Sequence, residues 1–210
     1  MLIEHEGKRP HVDITARVAP TAVVCGDVTI GPRSHVAFGP VVAAEGAAIR
    51  IGAECMIREN AVVKSSPGHP VNVGDAVLVG PHASIVGCAI GDEVFLATGV
   101  TVFQGARLGR GVEVRINGVV HVNTLLEPGT IVPIGWIAVG NPARCLPPQE
   151  HDQIWSIQKL LNFSKAAYGI DRAADGSVDM RAIMRTVVQR YEAHRSDRML
   201  GPEETRRPER

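Results

Sequence analysis

Apolar residues return along this chain at every sixth position. From Ile90 onward the sixth places read Leu96, Val102, Leu108, Val114, Val120, Leu126 and Val132, with none skipped. An amphipathic helix returns its apolar face about every 3.6 residues, and a half-buried strand every second residue. Neither alone gives six. A solenoid coil made of three short strands does, if each strand sends one aliphatic side chain into the prism. The pattern predicts an all-β fold, a left-handed parallel β-helix.

The same period runs upstream through Val24, Ile30 and Val36, then Ile51, Ile57 and Val63, then Val73, Val79 and Ile85. Gly31, Gly52, Gly74 and Gly80 each follow an aliphatic repeat position, where a small residue lets the chain turn a corner. Residues 37–50 and 64–72 break the count and predict loops that leave the prism. The step from Ile85 to Ile90 is five residues, a local slip.

After Val139-Gly140-Asn141-Pro142 the period changes. His151 to Tyr168 reads as a helix with Ile154, Trp155, Ile157 and Leu161 on its apolar face, capped by Gly169. Met180, Ile183, Met184, Val187, Val188 and Tyr191 follow the spacing of a second amphipathic helix. Residues 1–20 thus lead into the β-helix, 21–145 form it, 146–194 are helical, and the charged tail 195–210 is expected to lack structure.

Lys and Arg number 22, as do Asp and Glu, so charge gives no case for nucleic acid or a membrane surface. Cys25, Cys55, Cys88 and Cys145 form no CxxC pair, which argues against a disulfide framework or a thiolate zinc site and for a reducing, cytoplasmic setting. No apolar run approaches membrane-spanning length.

Three segments within this frame carry a family resemblance. They are Gly26-Asp27-Val28-Thr29-Ile30-Gly31 with Val41-Val42; Ile49-Arg50-Ile51-Gly52 with Ile57-Arg58-Glu59-Asn60-Ala61-Val62-Val63; and Gly80 to Asp92. With Gly140-Asn141-Pro142-Ala143-Arg144 they resemble the gamma-class carbonic anhydrases over about 130 residues of repeat register. The resemblance implies a homotrimer with a zinc ion held by three histidines between subunits. The three corresponding positions here are Lys64, Pro81 and Val86. Proline and valine carry no donor atom, and a protonated lysine repels a dication. The sequence therefore reads as a chain whose zinc site is lost, with no cofactor assigned.

The polar positions around that site are kept in altered form. Glu45, Arg58, Glu59 and Lys64 are expected to form either a salt-bridge network at a subunit interface or a pocket for a small anionic or carbonyl-containing ligand. In the pocket reading Lys64, Glu59, His82 and His69 are the catalytic candidates, with Arg58 and Glu45 as binding residues. His69 lies in the loop beside the site, and His82 and His121 are placed on prism faces, while His5 is assigned to a solvated terminus. The leading expectation is a metal-independent small-molecule enzyme. The alternatives are a hexapeptide-repeat acyltransferase using acyl-CoA and a non-catalytic scaffold or complex subunit.

Overall fold

A computed structural model describes residues 1–201 and 204. Among them the strands form three sheets, of ten, seven and seven strands, wound into one three-sided parallel β-helix. The register fixes one coil as three repeats. Leu96 pairs with Val114 and Val114 with Val132 on one side, and Ile90 pairs with Leu108 and Leu108 with Leu126 on another. These side chains stack in a core that water does not reach; Leu96, Val102, Val114 and Val132 are fully buried. The pairing of Ile85 with Val102 absorbs the five-residue step.

The expected loops are narrower than the broken count implies. Val41–Ala43 and Val71–Val73 are strands in full register with their neighbours. Each insertion sits beside a strand and hides it from a fixed count. The coils also begin earlier than residue 21, since Leu2–Glu4, His11–Val12 and Arg17–Val18 each pair with a strand of the next coil.

Arg144–Leu146 turns back antiparallel on Ile137–Val139 and ends the ten-stranded sheet. The first helix, α1 (His151–Gln158), buries Ile154 against Val139 and Leu146. The single helix expected over 151–168 is interrupted. A 3-10 turn over Lys159–Leu161 leads to Asn162 in the left-handed region, and α2 (Phe163–Tyr168) starts afresh with the Asn162 side chain as its cap. Asparagine tolerates that conformation, and its amide supplies the cap bond. Trp155 is exposed rather than packed, with the Arg172 guanidinium over its ring.

Asp179 caps α3 (Met180–Glu192) by accepting a bond from the Ala182 N–H. Ile183 is the buried residue of its stripe, while Met184 and Val188 face out. Past α3 the chain returns. Arg198–Leu200 pairs antiparallel with Leu2–Glu4 and adds the last strand at the other edge of the ten-stranded sheet. Part of the stretch expected to lack structure is therefore a strand; residues 202, 203 and 205–210 lie outside the described residues.

Candidate functional site

The ten-stranded sheet carries an outward-facing column one place after the core aliphatics. Cys25 pairs with Ala43, Ala43 with Lys64, and Lys64 with Val86. Strand alternation turns these side chains away from the core. The column is nonetheless largely covered, because Tyr191 of α3 lies over Lys64 and Asp197, before the returning strand, lies against Cys25. Lys64 Nζ is 2.7 Å from Glu45 Oε1, and the Tyr191 ring of α3 lies under the ammonium, 5.0 Å from it to the ring centroid. Burial disfavours the Lys64 charge, but Glu45 and the Tyr191 hydroxyl outweigh it and raise the lysine above its ordinary value.

At the near end of the column four metal-ligating side chains converge. His5 follows the first strand, Cys25 ends the Val23–Cys25 strand, and His194 and Asp197 lie between α3 and the returning strand. Their candidate ligand atoms all lie within 4.8 Å of one another. Asp197 accepts from both imidazoles at 2.7 Å, through Oδ1 to His5 and Oδ2 to His194. The two rings stack at 4.3 Å, and Cys25 Sγ is 3.9 Å from Asp197 Oδ2. Burial, with the nearby Asp197 and Glu45 carboxylates, pushes the Cys25 thiol up to about 12.

This cluster corrects the sequence reading. The positions the resemblance assigns to zinc, Lys64, Pro81 and Val86, offer no ligand set, but the chain is not without candidate metal ligands. A site described as lost, and a mechanism described as metal-independent, do not survive that observation. Sequence reasoning missed the cluster because His5 reads as a terminal residue and Cys25 as an isolated cysteine, 172 positions from Asp197. The one available signal was the repeat register, which places Cys25 in the same column as Lys64.

The other sequence candidates separate. Arg58 Nε meets Glu59 Oε2 at 2.9 Å on the exposed surface. The Glu59 carboxyl is held below its usual range, first by its own backbone N–H and then by Arg58. Arg58 lines a cavity of about 380 Å³ with Pro81, Phe95 and Ile116, whereas Lys64 and Glu45 line another. His82 is not on a flat face; it is an exposed corner residue with φ of 58°, and its backbone N–H reaches Glu59 O. His69 closes a tight turn on Ser66 and lies against Gly87.

The second cavity, of about 320 Å³, lies between the outward column and the helices, with Lys64, Ser66, Gln104, Phe103, Phe163 and Arg190 in its walls. Buried side-chain atoms without a hydrogen-bond partner among the described residues include Ser66 Oγ, Gln104 Oε1 and His121 Nδ1. His121 is flanked by the Phe103 and Phe163 rings at 6.0 and 6.2 Å between centroids. Burial lowers its pKa, so the imidazole is neutral at pH 7. Sequence reasoning placed His121 on a face and gave it no role.

No protein-family model matches the chain. It is similar to gamma carbonic anhydrase 1, mitochondrial, of Arabidopsis thaliana, at 35% identity over 167 residues, 76% of this chain and 58% of that one. Gamma carbonic anhydrase 2, mitochondrial, of the same plant is 32% identical over the same spans. The chain thus covers less than two thirds of the length of these relatives. A carbonic anhydrase of Geobacillus kaustophilus is 24% identical, over 76% of this chain and 85% of that protein. Among solved structures, a hexapeptide transferase family protein from Anaplasma phagocytophilum matches with a TM-score of 0.53 at 24% identity, over 90% of this chain and 97% of that one. Its likeness is one of fold. The described residues contain no helix long and apolar enough to cross a membrane.

Proposed function

We propose that this chain is a hexapeptide-repeat acyltransferase that moves an acyl group from a thioester donor such as an acyl-CoA to a small acceptor in the cavity between the ten-stranded sheet and the helices. The observation that carries this reading is the pair of unpartnered buried polar atoms on residues that line that cavity, Ser66 Oγ and Gln104 Oε1, with a third, His121 Nδ1, on the residue next to the Phe103 and Phe163 rings of its wall. Buried polar groups are ordinarily satisfied, and a cavity lined by orphan polar groups is the default candidate for a binding site. Arg190 gives it a cation for carbonyl or phosphate oxygens, beside the Lys64–Glu45 ion pair. The fold shared with a hexapeptide transferase family protein is compatible with this chemistry and does not establish it.

His121 has the properties of the general base. It is neutral at pH 7, and Nδ1 is free to take a proton. The acceptor amine or hydroxyl attacks the thioester carbonyl and gives its proton to Nδ1. The tetrahedral intermediate then collapses, the C–S bond breaks, and the thiol leaves with that proton. Assembly as a homotrimer is a further part of the proposal, supported by the family resemblance and checked by the mass in solution.

The test is thermal stabilisation by coenzyme A, followed by thiol release from acetyl-CoA with a panel of small amines and alcohols. His121→Asn is expected to keep the stabilisation and lose turnover. No stabilisation and no thiol release with the unmodified protein would overturn the reading. Carbon dioxide hydration that a chelator abolishes would replace it with metal-dependent hydration.

A further inference from the structure

We propose that His5, Cys25, His194 and Asp197 form a binding site for one zinc-class divalent cation that clasps the C-terminal segment onto the first two coils of the β-helix. The donor set is two imidazole nitrogens, one thiolate and one carboxylate. Borderline-soft ions such as zinc take such a set, and calcium or magnesium, which prefer oxygen, do not. Four protein ligands also mark a closed, structural site rather than one with an open catalytic position.

The geometry is close to what a tetrahedral ion requires. Bonds of about 2.0–2.3 Å put ligand atoms roughly 3.4–3.8 Å apart. The four candidate atoms lie within 4.8 Å of one another, and the Cys25 Sγ to Asp197 Oδ2 separation of 3.9 Å already fits. The two Asp197–imidazole contacts of 2.7 Å must open by about 1 Å, which rotation of one carboxylate provides. His5 and Cys25 are buried and His194 and Asp197 half-buried, so an ion here is shielded from competing water.

The positions of the ligands specify what the ion does. One comes from the first coil, one from the second and two from the turn after α3, and His5 and Asp197 are 192 residues apart. Next to them Leu2–Glu4 pairs with Arg198–Leu200 over only three residues. A pairing that short is weak alone. An ion bridging these segments fixes the end of α3, which carries Val187, Arg190 and Tyr191, over the Lys64–Glu45 cavity. This inference stands whether or not that cavity transfers an acyl group.

The experiment uses the full chain, stripped with a chelator and then titrated with cobalt(II) and with zinc(II). Cobalt is expected to bind at about one equivalent per chain with a thiolate-to-cobalt charge-transfer band and the intense visible absorption of a tetrahedral ion. Zinc should displace it, raise the melting temperature and slow proteolysis within residues 170–197. Cys25→Ser should remove the charge-transfer band, whereas Cys145→Ser, at a cysteine outside the cluster, should keep it. Circular dichroism of the β-helix checks that both variants are folded. Failure of the unmodified protein to bind either metal stoichiometrically would overturn the site. A charge-transfer band that survives Cys25→Ser would do the same. Binding that leaves the proteolysis of residues 170–197 unchanged would overturn the clasp.

Discussion

Lys64 Nζ lies 2.7 Å from Glu45 Oε1 in the same chain, with side chains 28% and 14% exposed, and Tyr191 of α3 closes over the pair. Two residues expected to face a neighbouring subunit thus meet under the chain's own C-terminal helix. The contact ties the outward face of the sheet to that helix.

Lys64→Met keeps much of the stem and removes the charge. Among the described residues the Glu45 carboxylate then keeps only the His194 ring, at 3.6 Å, as an ion-pair partner. The expected loss is about 1–3 kcal/mol, because a mostly buried carboxylate is left poorly compensated. A double-mutant cycle with Glu45→Gln in urea should give a coupling energy above about 0.5 kcal/mol. A coupling indistinguishable from zero would show the pair to be idle.

Val102 is fully buried, between Ile85 and Val120 in register. Val102→Asp puts a carboxylate where nothing can pair with it, at a cost on the order of several kcal/mol. Thr101, its neighbour on the outward side, is partly exposed, and Thr101→Asp should change stability by less than about 1 kcal/mol. Melting curves of the two variants should differ widely. Similar curves would mean that the inward and outward positions are misassigned.

Gly31 packs its α-carbon against the next coil. A methyl group there would sit 2.5 Å from the Gly52 carbonyl oxygen and 2.7 Å from its carbon. Both are backbone atoms and cannot swing away. Gly31→Ala should therefore cost about 1–3 kcal/mol through overpacking alone. Chemical denaturation measures it, and a variant as stable as the parent would show that the coils can separate locally.

The repeat made the core legible because each short strand buries one aliphatic side chain, as Leu96, Val102 and Leu108 do. Val41–Ala43 was hidden because the insertion after it breaks the count while the strand keeps its register. The break at Asn162 was hidden because the apolar spacing continues across it. Arg198–Leu200 was hidden for a different reason. Its surroundings are charged, and only the open edge of the Leu2–Glu4 strand makes it pair. That same return brings His194 and Asp197 to His5 and Cys25, so the metal-ligating cluster depends on a tertiary contact that no local pattern encodes. Among the site residues, Lys64 and Glu45 do meet, but Arg58 lines a different cavity.

His121 supplies the last expectation, a pH dependence. Its ring is buried beside Phe103 and Phe163, and burial lowers its pKa in the folded chain. In the unfolded chain it titrates near its ordinary value of about 6.5. The unfolded state therefore binds the extra proton first as pH falls. The stabilising effect of the neutral ring is fully present above about pH 6.5 and is lost as pH drops toward and through the lower folded-state value. The comparison is with a variant that differs only here. His121→Phe removes the ionisation and keeps an aromatic ring among aromatic neighbours. Between pH 8 and pH 5 the parent's melting temperature should fall more steeply than the variant's, with the two curves converging or crossing on the acid side. Parallel curves across that range would mean that His121 is protonated as readily in the folded chain as outside it, and that it is not the neutral base proposed for acyl transfer.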